Sequence, residues 1–359
     1  MPPVANGLRG RLDRELESFL GERHRELAAI DAGLVPVART LESFILRGGK
    51  RLRPAFAYWA YLGSGGVDRP GLTAAIASLE LLHAGALIHD DVMDASDTRR
   101  GEPAVHRRFA DEHSAAGWAG RSEAFGQAAA ILLGDLCLVW ADEMFQGAGG
   151  FEGAGLEPAR LAAARPYYDA MRTEVMAGQY LDVLSQARQD ESATQASKVA
   201  RYKSAKYTVE RPLLLGGSLA GAGDELLEAF SGYGLPVGEA FQLRDDILGV
   251  FGDPSQTGKP AGGDLREGKR TYLIAVALES ADPRQRTTLR RLLGDPDLDD
   301  AGVTRLRAII SDTGALHRTE SRITELTATA LGALDQVRLL PEAAQALRAL
   351  ATAAAQRVT

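Results

Sequence analysis

Apolar residues recur along the chain at helical spacing, without the sustained alternation of apolar and polar residues that strands show. Three long segments are apolar on most of their faces: residues 70–94, 122–145 and 228–251. A helix of this kind is buried among other helices, because no side of it favours water. The pattern therefore predicts an all-α protein with these three helices inside a bundle.

Glycine and proline concentrate in three other segments, which we predict to be loops: residues 1 to about 10, 146–158 and 252–269. None of them has the length of a linker between independent domains. We therefore predict a flexible N-terminus over 1–10 and one helical domain over 11–359. Apolar residues make up 45% of the chain, which is enough to bury a core.

The overall composition narrows the class of protein. A formal net charge of -7 argues against a nucleic-acid partner, which requires a basic face. The single cysteine, Cys137, excludes an intrachain disulfide and a cysteine metal cluster, and it fits a reducing cytoplasm. The N-terminus has no apolar run of signal-peptide type, and the run 128–141 is interrupted and too short to span a bilayer. These features predict a cytoplasmic protein with no integral membrane contact.

The first and third of these apolar helices both carry an aspartate pair near the C-terminal end. Asp90 and Asp94 stand four residues apart, so they lie on one helical face about 5 Å from each other. Carboxylates so placed repel each other and oppose the helix dipole unless a cation lies between them. Oxygen ligands favour a hard ion such as Mg²⁺. Asp245, Asp246 and Gln242 repeat the arrangement on the other helix, which suggests one shared site.

Basic residues surround these acids in the sequence. Only six of the 41 basic residues are lysines, and most of them fall in short polar motifs such as "GGKRLRP", "KSAKYT" and "EGKRT". Arg99 and Arg100 follow the first acidic pair directly, and His83 lies two turns before Asp90 on the same side. Acids that load a metal, next to cations that grip oxygens, suit a diphosphate ligand. We predict that Arg51, in contrast, is a solvated surface residue.

Five ordered motifs resemble those of the trans-isoprenyl diphosphate synthases, or polyprenyl synthetases, of the geranylgeranyl diphosphate synthase type. The resemblance covers about residues 40–280, which would form the motif-bearing core. It implies a single-domain helical bundle around a deep central cavity, usually a homodimer. It also implies a Mg²⁺-dependent, head-to-tail condensation of isopentenyl diphosphate with an allylic diphosphate (dimethylallyl, geranyl or farnesyl). The motifs are "GGKRLRP", "DDVMDASDTRRG", "KYT", "FQLRDDILGVFGD" and "EGKRT".

The resemblance also implies a role for each matching residue. The expected metal ligands are Asp90, Asp94 and Asp245, with Asp91 in support. The expected isopentenyl diphosphate site is Lys50, Arg53, His83 and Arg100. The expected allylic diphosphate site is Arg99, Lys206, Gln242, Lys259 and Lys269, with Asp246 a further substrate-binding residue. The residues expected to act in catalysis are Asp90, Asp91, Asp94, Arg99, Lys206 and Asp245.

The mechanism implied by the resemblance begins with three magnesium ions and several cations that stabilise the departing diphosphate. The allylic carbon–oxygen bond ionises, the double bond of isopentenyl diphosphate attacks the cation, and a proton leaves to the released diphosphate. Two positions depart from the family pattern. Gly249 replaces an acidic residue common in the second motif, with Asp253 as a candidate substitute, and Tyr207 follows Lys206 where threonine is common, which leaves the role of Thr208 open.

Product length should depend on the helix that carries Asp90. One helical turn, about 5.4 Å, is roughly the reach of one isoprene unit, so side chains one turn below the metal face act as a ruler. Gly85 and Ala86 are small there, and Leu82 lies on the next turn. Members of the resembled family that stop at fifteen carbons often have aromatic residues at these positions, so the resemblance implies a longer product, and we predict geranylgeranyl diphosphate. The residues expected to close the floor are Phe125, Ile131 and Leu132.

Other functions remain open at this point. A longer product of 25 or more carbons and farnesyl diphosphate are alternatives to the twenty-carbon product. A class I terpene cyclase shares the fold and the first acidic motif, but it would not need the second basic site of Lys50, Arg53 and Arg100. A non-catalytic partner subunit typically loses an acidic motif, whereas here the first is intact and the second only altered.

Overall fold

The computed structural model describes residues 7–47, 49–150, 155–252, 262–295 and 297–356. The first half comprises α1 (Leu8–Ile30), α2 (Val35–Leu46), α3 (Leu52–Gly63), α4 (Pro70–Met93), α5 (Val105–Ala115), α6 (Ser122–Gly147) and α7 (Pro158–Ala187). Next come α8 (Ala193–Ala200), a π-helix (Arg201–Glu210), α9 (Arg211–Ala220) and α10 (Asp224–Phe251). The remainder comprises α11 (Gly263–Arg266), α12 (Tyr272–Ser280), α13 (Pro283–Leu292), α14 (Asp300–Asp312), α15 (Ala315–Leu334) and α16 (Pro341–Ala355).

The all-α prediction is confirmed, with one small exception. Strands β1 (Thr98–Arg99) and β2 (Glu102–Pro103) form a two-stranded antiparallel hairpin directly after the first acidic motif. Arg100 and Gly101 form its turn with φ of 55° and 79°, a left-handed conformation that a tight hairpin turn requires. The hairpin fixes the direction in which the two arginines leave the backbone.

Two hydrophobic clusters make up the core, and α10 contributes to both. Leucines of α1 and apolar residues of α3, α4, α7 and α9 pack in the larger cluster. The end of α10 packs in the smaller one with α12, α14 and α15. Because α10 belongs to both clusters, its C-terminal aspartates lie where the two meet.

The predicted loops agree with the structure in part. Helix α1 begins at Leu8, slightly before the predicted end of the flexible N-terminus, and residues 1–6 lie outside the described residues. The expected loop 252–269 contains the short helix α11, and its residues 253–261 are likewise not described. Thr271 caps α12 by accepting a hydrogen bond from the Ile274 amide at 3.4 Å, which anchors the segment beside Lys269.

Two helices among the described residues, α4 and α6, are long and apolar enough to cross a membrane by length and composition alone. The apolar run 128–141 is part of the longer helix α6, which has 26 residues. In α4, 83% of the most apolar 18-residue stretch is buried, as in the central helix of a bundle. In α6, only 39% of the corresponding stretch is buried. The outer face of α6 thus leaves large apolar side chains exposed.

Candidate active site

A cavity of about 610 Å³ lies between α3, α4, α7, the π-helix and α10. Its wall carries charge of both signs, brought together from distant parts of the chain. Asp90 and Asp245 both line it, as a metal site shared by the two acidic helices requires. The other charged residues in the wall are Glu80, Asp182, Asp246, Asp264, Lys50, Arg51, Arg53, Arg99, Arg100, Lys203, Lys269 and Arg270.

The carboxylates at the end of α4 are already next to cations. Lys203 Nζ lies 3.1 Å from Asp90 Oδ1, and Lys269 Nζ lies 3.3 Å from Asp94 Oδ2. Burial raises the pKa of Asp90, but the charges of Lys203, Lys269 and Arg99 outweigh it, so the net shift is downward. Burial and the charge of Asp90 raise the pKa of Asp94 above its usual range. The neighbouring cations thus outweigh burial at Asp90 but not at Asp94.

The donor set fits magnesium. Asp94 Oδ2 is buried, and the Lys269 ammonium 3.3 Å away satisfies its charge without the geometry of a hydrogen bond. No three acidic, histidine or cysteine side chains of the described ranges form a ready metal cage. Mg²⁺ commonly takes one or two carboxylates and completes its shell with phosphate oxygens, so a full protein cage is not required. Asp90, Asp94 and Asp245 are the residues that would hold it.

Asp91 positions an arginine. Its carboxylate is fully buried, and Arg99 Nε donates to Asp91 Oδ1 at 2.8 Å and to Oδ2 at 3.1 Å. Arg99 also approaches Asp90 Oδ2 at 3.7 Å. Burial lowers the pKa of Arg99, but the hydrogen bonds and charge of Asp91 raise it overall. Asp91 therefore supports the site by holding Arg99 at the cavity wall.

The four residues expected to hold isopentenyl diphosphate all line the cavity: Lys50, Arg53, His83 and Arg100. Arg53 Nη2 donates to Thr208 Oγ1 at 2.9 Å, and its guanidinium lies 4.2 Å from the centre of the Tyr207 ring. The Tyr207 hydroxyl lies 3.0 Å from His83 Nδ1. Burial and the charge of Arg53 lower the pKa of His83 well below its usual value, so the imidazole is neutral. Thr208, whose role was open, therefore orients Arg53.

Arg51 is buried, so its prediction as a solvated surface residue was wrong. Only 3% of it is exposed, and it binds Glu80 Oε2 at 2.6 Å and Asp13 Oδ1 at 2.9 Å. Burial lowers the pKa of Arg51, but these two carboxylates raise it overall. Its φ of 51° marks the bend between Lys50 and α3. The buried ion pairs therefore anchor the basic loop against α1 and α4.

The structure brings Lys203 to the cavity in place of Lys206, which the sequence motif favoured. Lys203 Nζ binds Asp182 Oδ2 at 2.7 Å as well as Asp90, and Gly178 of α7 lets the two backbones touch there. Lys206 is not in the cavity wall of the described residues and binds Glu174 Oε1 at 2.7 Å instead. The cause is the π-helix, in which hydrogen bonds from residue i to i+5 place residues four and five apart on one face.

Asp245 and Asp246 have different surroundings. Asp246 is buried and accepts a hydrogen bond from Gln242 Nε2 at 2.8 Å. Burial, together with the charges of Asp264 and Asp245, raises the pKa of Asp246 to about 8. Asp245 is half-buried at the cavity wall. Asp246 is therefore largely protonated at neutral pH when no cation is bound, whereas Asp245 is the member of the pair that is partly exposed at the cavity wall.

Asp264 compensates for the missing acid at position 249. A Cβ atom at Gly249 would overlap Asp264 Oδ2, so a carboxylate from α11 occupies the space of the absent side chain. Lys269 Nζ lies 3.7 Å from Asp264 Oδ1 and 2.7 Å from Glu267 Oε2. The candidate substitute Asp253 and the predicted substrate ligand Lys259 both lie outside the described residues.

Sequence reasoning did not identify five charged groups of the cavity wall: Glu80, Asp182, Lys203, Asp264 and Arg270. Lys203 had a usable signal, because it shares the motif "KSAKYT" with Lys206 in a chain poor in lysine. The three acids had none, since each lies outside the motifs that drew attention. Their roles depend on partners that are distant in sequence.

The predicted chain-length residues are placed differently from one another. Ala86 lines the cavity. Gly85 faces α6, where an added Cβ would come within 2.9 Å of the Gly134 carbonyl oxygen, so its small size serves helix packing. Leu82 is fully buried in the core and is not in the cavity wall that the described residues form. The predicted floor was wrong, because three of its residues are exposed at the surface: Phe125, Ile131 and Leu132.

An all-α bundle whose cavity joins two acidic helix ends to several cations has the architecture of a helical synthase that binds diphosphates. The sequence model of the polyprenyl synthetase family matches residues 36–310, and the chain belongs to that family. It is accordingly a trans-prenyl diphosphate synthase, a transferase of a magnesium-dependent family.

Three similar proteins illustrate the range of the family. The crystal structure of a geranylgeranyl pyrophosphate synthase from Corynebacterium glutamicum, complexed with isoprenyl diphosphate and magnesium, superposes with a TM-score of 0.93 and 42% identity over 98% of this chain and 99% of that one. A geranylfarnesyl diphosphate synthase of Aeropyrum pernix is 33% identical, over 77% of this chain and 80% of the relative. A geranylgeranyl diphosphate synthase of Methanosarcina mazei is 36% identical, over 70% and 72%. Product length therefore varies among relatives.

Proposed function

We propose that this chain condenses isopentenyl diphosphate with allylic diphosphates and releases geranylgeranyl diphosphate as its main product. The observation that carries this proposal is the shared cavity, where Asp90 and Asp245 face the basic group of Lys50, Arg53 and Arg100. Two separate sets of cations fit two diphosphates, one for each substrate. The small side chain of Ala86 leaves room for a prenyl chain below the metal end.

Three Mg²⁺ ions complete the proposed site, held by Asp90, Asp94 and Asp245 together with diphosphate oxygens. Bound there, Mg²⁺ would act as a Lewis acid that stabilises negative charge on the departing diphosphate. Arg99, Lys203 and Lys269 add fixed positive charge to the same end of the cavity. Lys50, Arg53 and Arg100 hold isopentenyl diphosphate so that its double bond faces the allylic carbon.

The experiment that tests the function supplies purified protein with Mg²⁺, labelled isopentenyl diphosphate and one allylic primer at a time. We expect incorporation of label into a linear twenty-carbon product, read by chromatography after dephosphorylation. A cyclic hydrocarbon formed from a single allylic substrate would favour a class I terpene cyclase. The absence of any incorporation, regained only with a second synthase, would identify a non-catalytic partner subunit.

Replacing Ala86 by phenylalanine should shorten the product to fifteen carbons or fewer. Ala86 lies four residues before Asp90, so a ring there would block the chain about one turn, or 5.4 Å, below the metal end. Product chromatography measures the effect, and Ala86→Gly is the matched control, which should keep the wild-type length. An unchanged product from Ala86→Phe would contradict the ruler on α4.

We further propose a homodimer that buries the outer face of α6. Ile131, Leu132 and Val139 are 48%, 63% and 63% exposed, which makes an apolar patch around the exposed Asp135 on one face of α6. A contiguous patch of this kind marks a protein contact more often than an ordinary surface. The proposed dimer would act in the cytoplasm, with neither membrane insertion nor a nucleic-acid partner.

Leu132→Asp should convert this dimer to a monomer. An aspartate buried in an apolar interface would lose its hydration without gaining a partner. Light scattering coupled to size exclusion should give twice the chain mass of 38.3 kDa for the wild type and the chain mass for the variant. Val67→Asp is the matched control, because Val67 is 67% exposed but lies far along the chain from α6. A monomeric wild type would overturn the proposal.

A further inference from the structure

Helices α4 and α7 run in the same direction below the cavity, and side chains bridge them at two levels. At the upper end, Lys203 Nζ contacts both Asp90 of α4 and Asp182 of α7, at 3.1 and 2.7 Å. At the lower end, the Tyr168 hydroxyl of α7 adjoins the Ser78 hydroxyl of α4. Ser78 precedes Asp90 by 12 residues and Tyr168 precedes Asp182 by 14. At 1.5 Å per residue, the two lengths are about 18 and 21 Å.

Helix α6 gives an independent measure of the depth of Tyr168. It runs antiparallel to α4, because His89 Nε2 lies 3.0 Å from the Ile131 carbonyl oxygen while Gly85 packs on Gly134. Phe145 follows Gly134 by 11 residues, which places it level with residue 74 of α4. The Tyr168 ring stacks on Phe145 with 4.5 Å between ring centres. Both measures therefore place the ring level with residues 74–78 of α4.

Apolar side chains fill the region between the cavity and this ring. Ala86 and Val175 form the lower cavity wall. Below them, Leu79 and Leu82 of α4 and Met171 of α7 are buried in the core. Leucine and especially methionine side chains can repack around an inserted chain, since they are flexible and carry no polar group. The side chains packed between the cavity and Tyr168 are therefore apolar and adaptable.

A cluster of ion pairs lies on the far side of the ring. The Arg172 guanidinium lies 4.9 Å from the centre of the Tyr168 ring. Arg172 Nη1 binds Asp142 Oδ1 at 2.8 Å, and Arg165 Nη2 binds the same oxygen at 2.9 Å. A prenyl tail that entered this cluster would separate these charges without offering them hydrogen bonds. The fully buried Tyr168 ring thus lies between these apolar side chains and an ion-pair cluster.

We propose that Tyr168 is the floor of the product tunnel and sets the length at which elongation stops. The inference rests on the proposed synthase function. The distance from Asp90 to the ring, about 18 Å at Ser78 and 24 Å at residue 74, equals three to four helical turns. With roughly one isoprene unit per turn, a fourth unit fits above the ring and a fifth would have to displace it.

The test compares Tyr168→Leu with Tyr168→Phe, using farnesyl diphosphate, labelled isopentenyl diphosphate and Mg²⁺. Tyr168→Leu should shift more than half of the product to twenty-five carbons or longer, because it removes the ring. Tyr168→Phe keeps the ring and should keep the wild-type length. Chromatography of the dephosphorylated products measures the distribution, and thermal unfolding verifies that each variant is folded.

Tyr233→Leu is the matched control for the loss of a buried tyrosine. Tyr233 is also fully buried, but its hydroxyl donates to the Leu347 carbonyl oxygen at 2.6 Å, on another side of the core. It should lower the melting temperature without changing the product. A folded Tyr168→Leu variant that makes wild-type products, or the same lengthening in Tyr233→Leu, would overturn the inference. Failure of the wild type to incorporate label would instead refute the synthase function itself.

Discussion

Asp90→Asn should reduce kcat by about a thousandfold, the largest loss expected from any single substitution in the cavity wall. The amide keeps the shape of the side chain but removes the charge that loads Mg²⁺. Burial raises the pKa of this carboxylate, but the charges of Lys203, Lys269 and Arg99 lower it by more. Asp90 is therefore ionised throughout the neutral range. Its replacement therefore leaves three cations without their shared partner.

The measurement is a single-turnover assay at increasing Mg²⁺, with calorimetric titration of Mg²⁺ in the presence of inorganic diphosphate. We expect weaker Mg²⁺ uptake together with the loss of kcat, and a melting temperature close to that of the wild type. The fold should survive because Lys203 keeps its ion pair with Asp182 at 2.7 Å. Asp335→Asn is the control, since that carboxylate is 57% exposed just after α15, away from the cavity wall. Equal losses in both variants would refute the assignment.

Lys203→Met should lower kcat/KM for the allylic substrate by about a hundredfold, whereas Lys206→Met should change it less than about threefold. Lys203 lies in the cavity wall beside Asp90. Lys206 binds Glu174, and Arg211 Nε also binds that carboxylate at 2.6 Å. The loss of Lys206 therefore leaves Glu174 with a partner.

Steady-state kinetics with each substrate varied in turn distinguish the two lysines. The family motif alone pointed to Lys206, so the pair is a direct comparison of the motif with the geometry. The reverse order of effects, with Lys206→Met the more damaging change, would show that the π-helix does not orient these side chains as described. Lys203→Arg should recover part of the activity, because it restores the positive charge.

The parts of the fold and site that follow from local sequence could be predicted. Apolar periodicity identified the buried helix α4, and the spacing of Asp90 and Asp94 placed both carboxylates at one end of it. Repetition of the aspartate pair on α10 indicated a shared site, and Asp245 does share a cavity with Asp90. These inferences need only helical geometry and the chemistry of carboxylates.

The parts of the fold and site that depend on contacts between residues distant in sequence could not be predicted. Arg51 looks like a surface residue until Asp13 and Glu80 are brought to it from α1 and α4. Lys203 lines the cavity and Lys206 does not, in a segment of ten residues that forms a π-helix, which no local pattern predicted. Product length depends on the depth at which α7 places Tyr168, and this depth is a property of helix packing.

Gly249 and Asp264 draw on the same small volume, because a side chain at one excludes the carboxylate of the other. A chain with this arrangement cannot gain an acid at position 249 unless Asp264 is lost or moved in the same step. The second acidic cluster is therefore defined by where its carboxylates lie in the structure and not by a DDxxD motif of five consecutive residues. A search that demands the full five-letter signature would overlook this chain, although Asp264 brings a carboxylate to the space beside position 249.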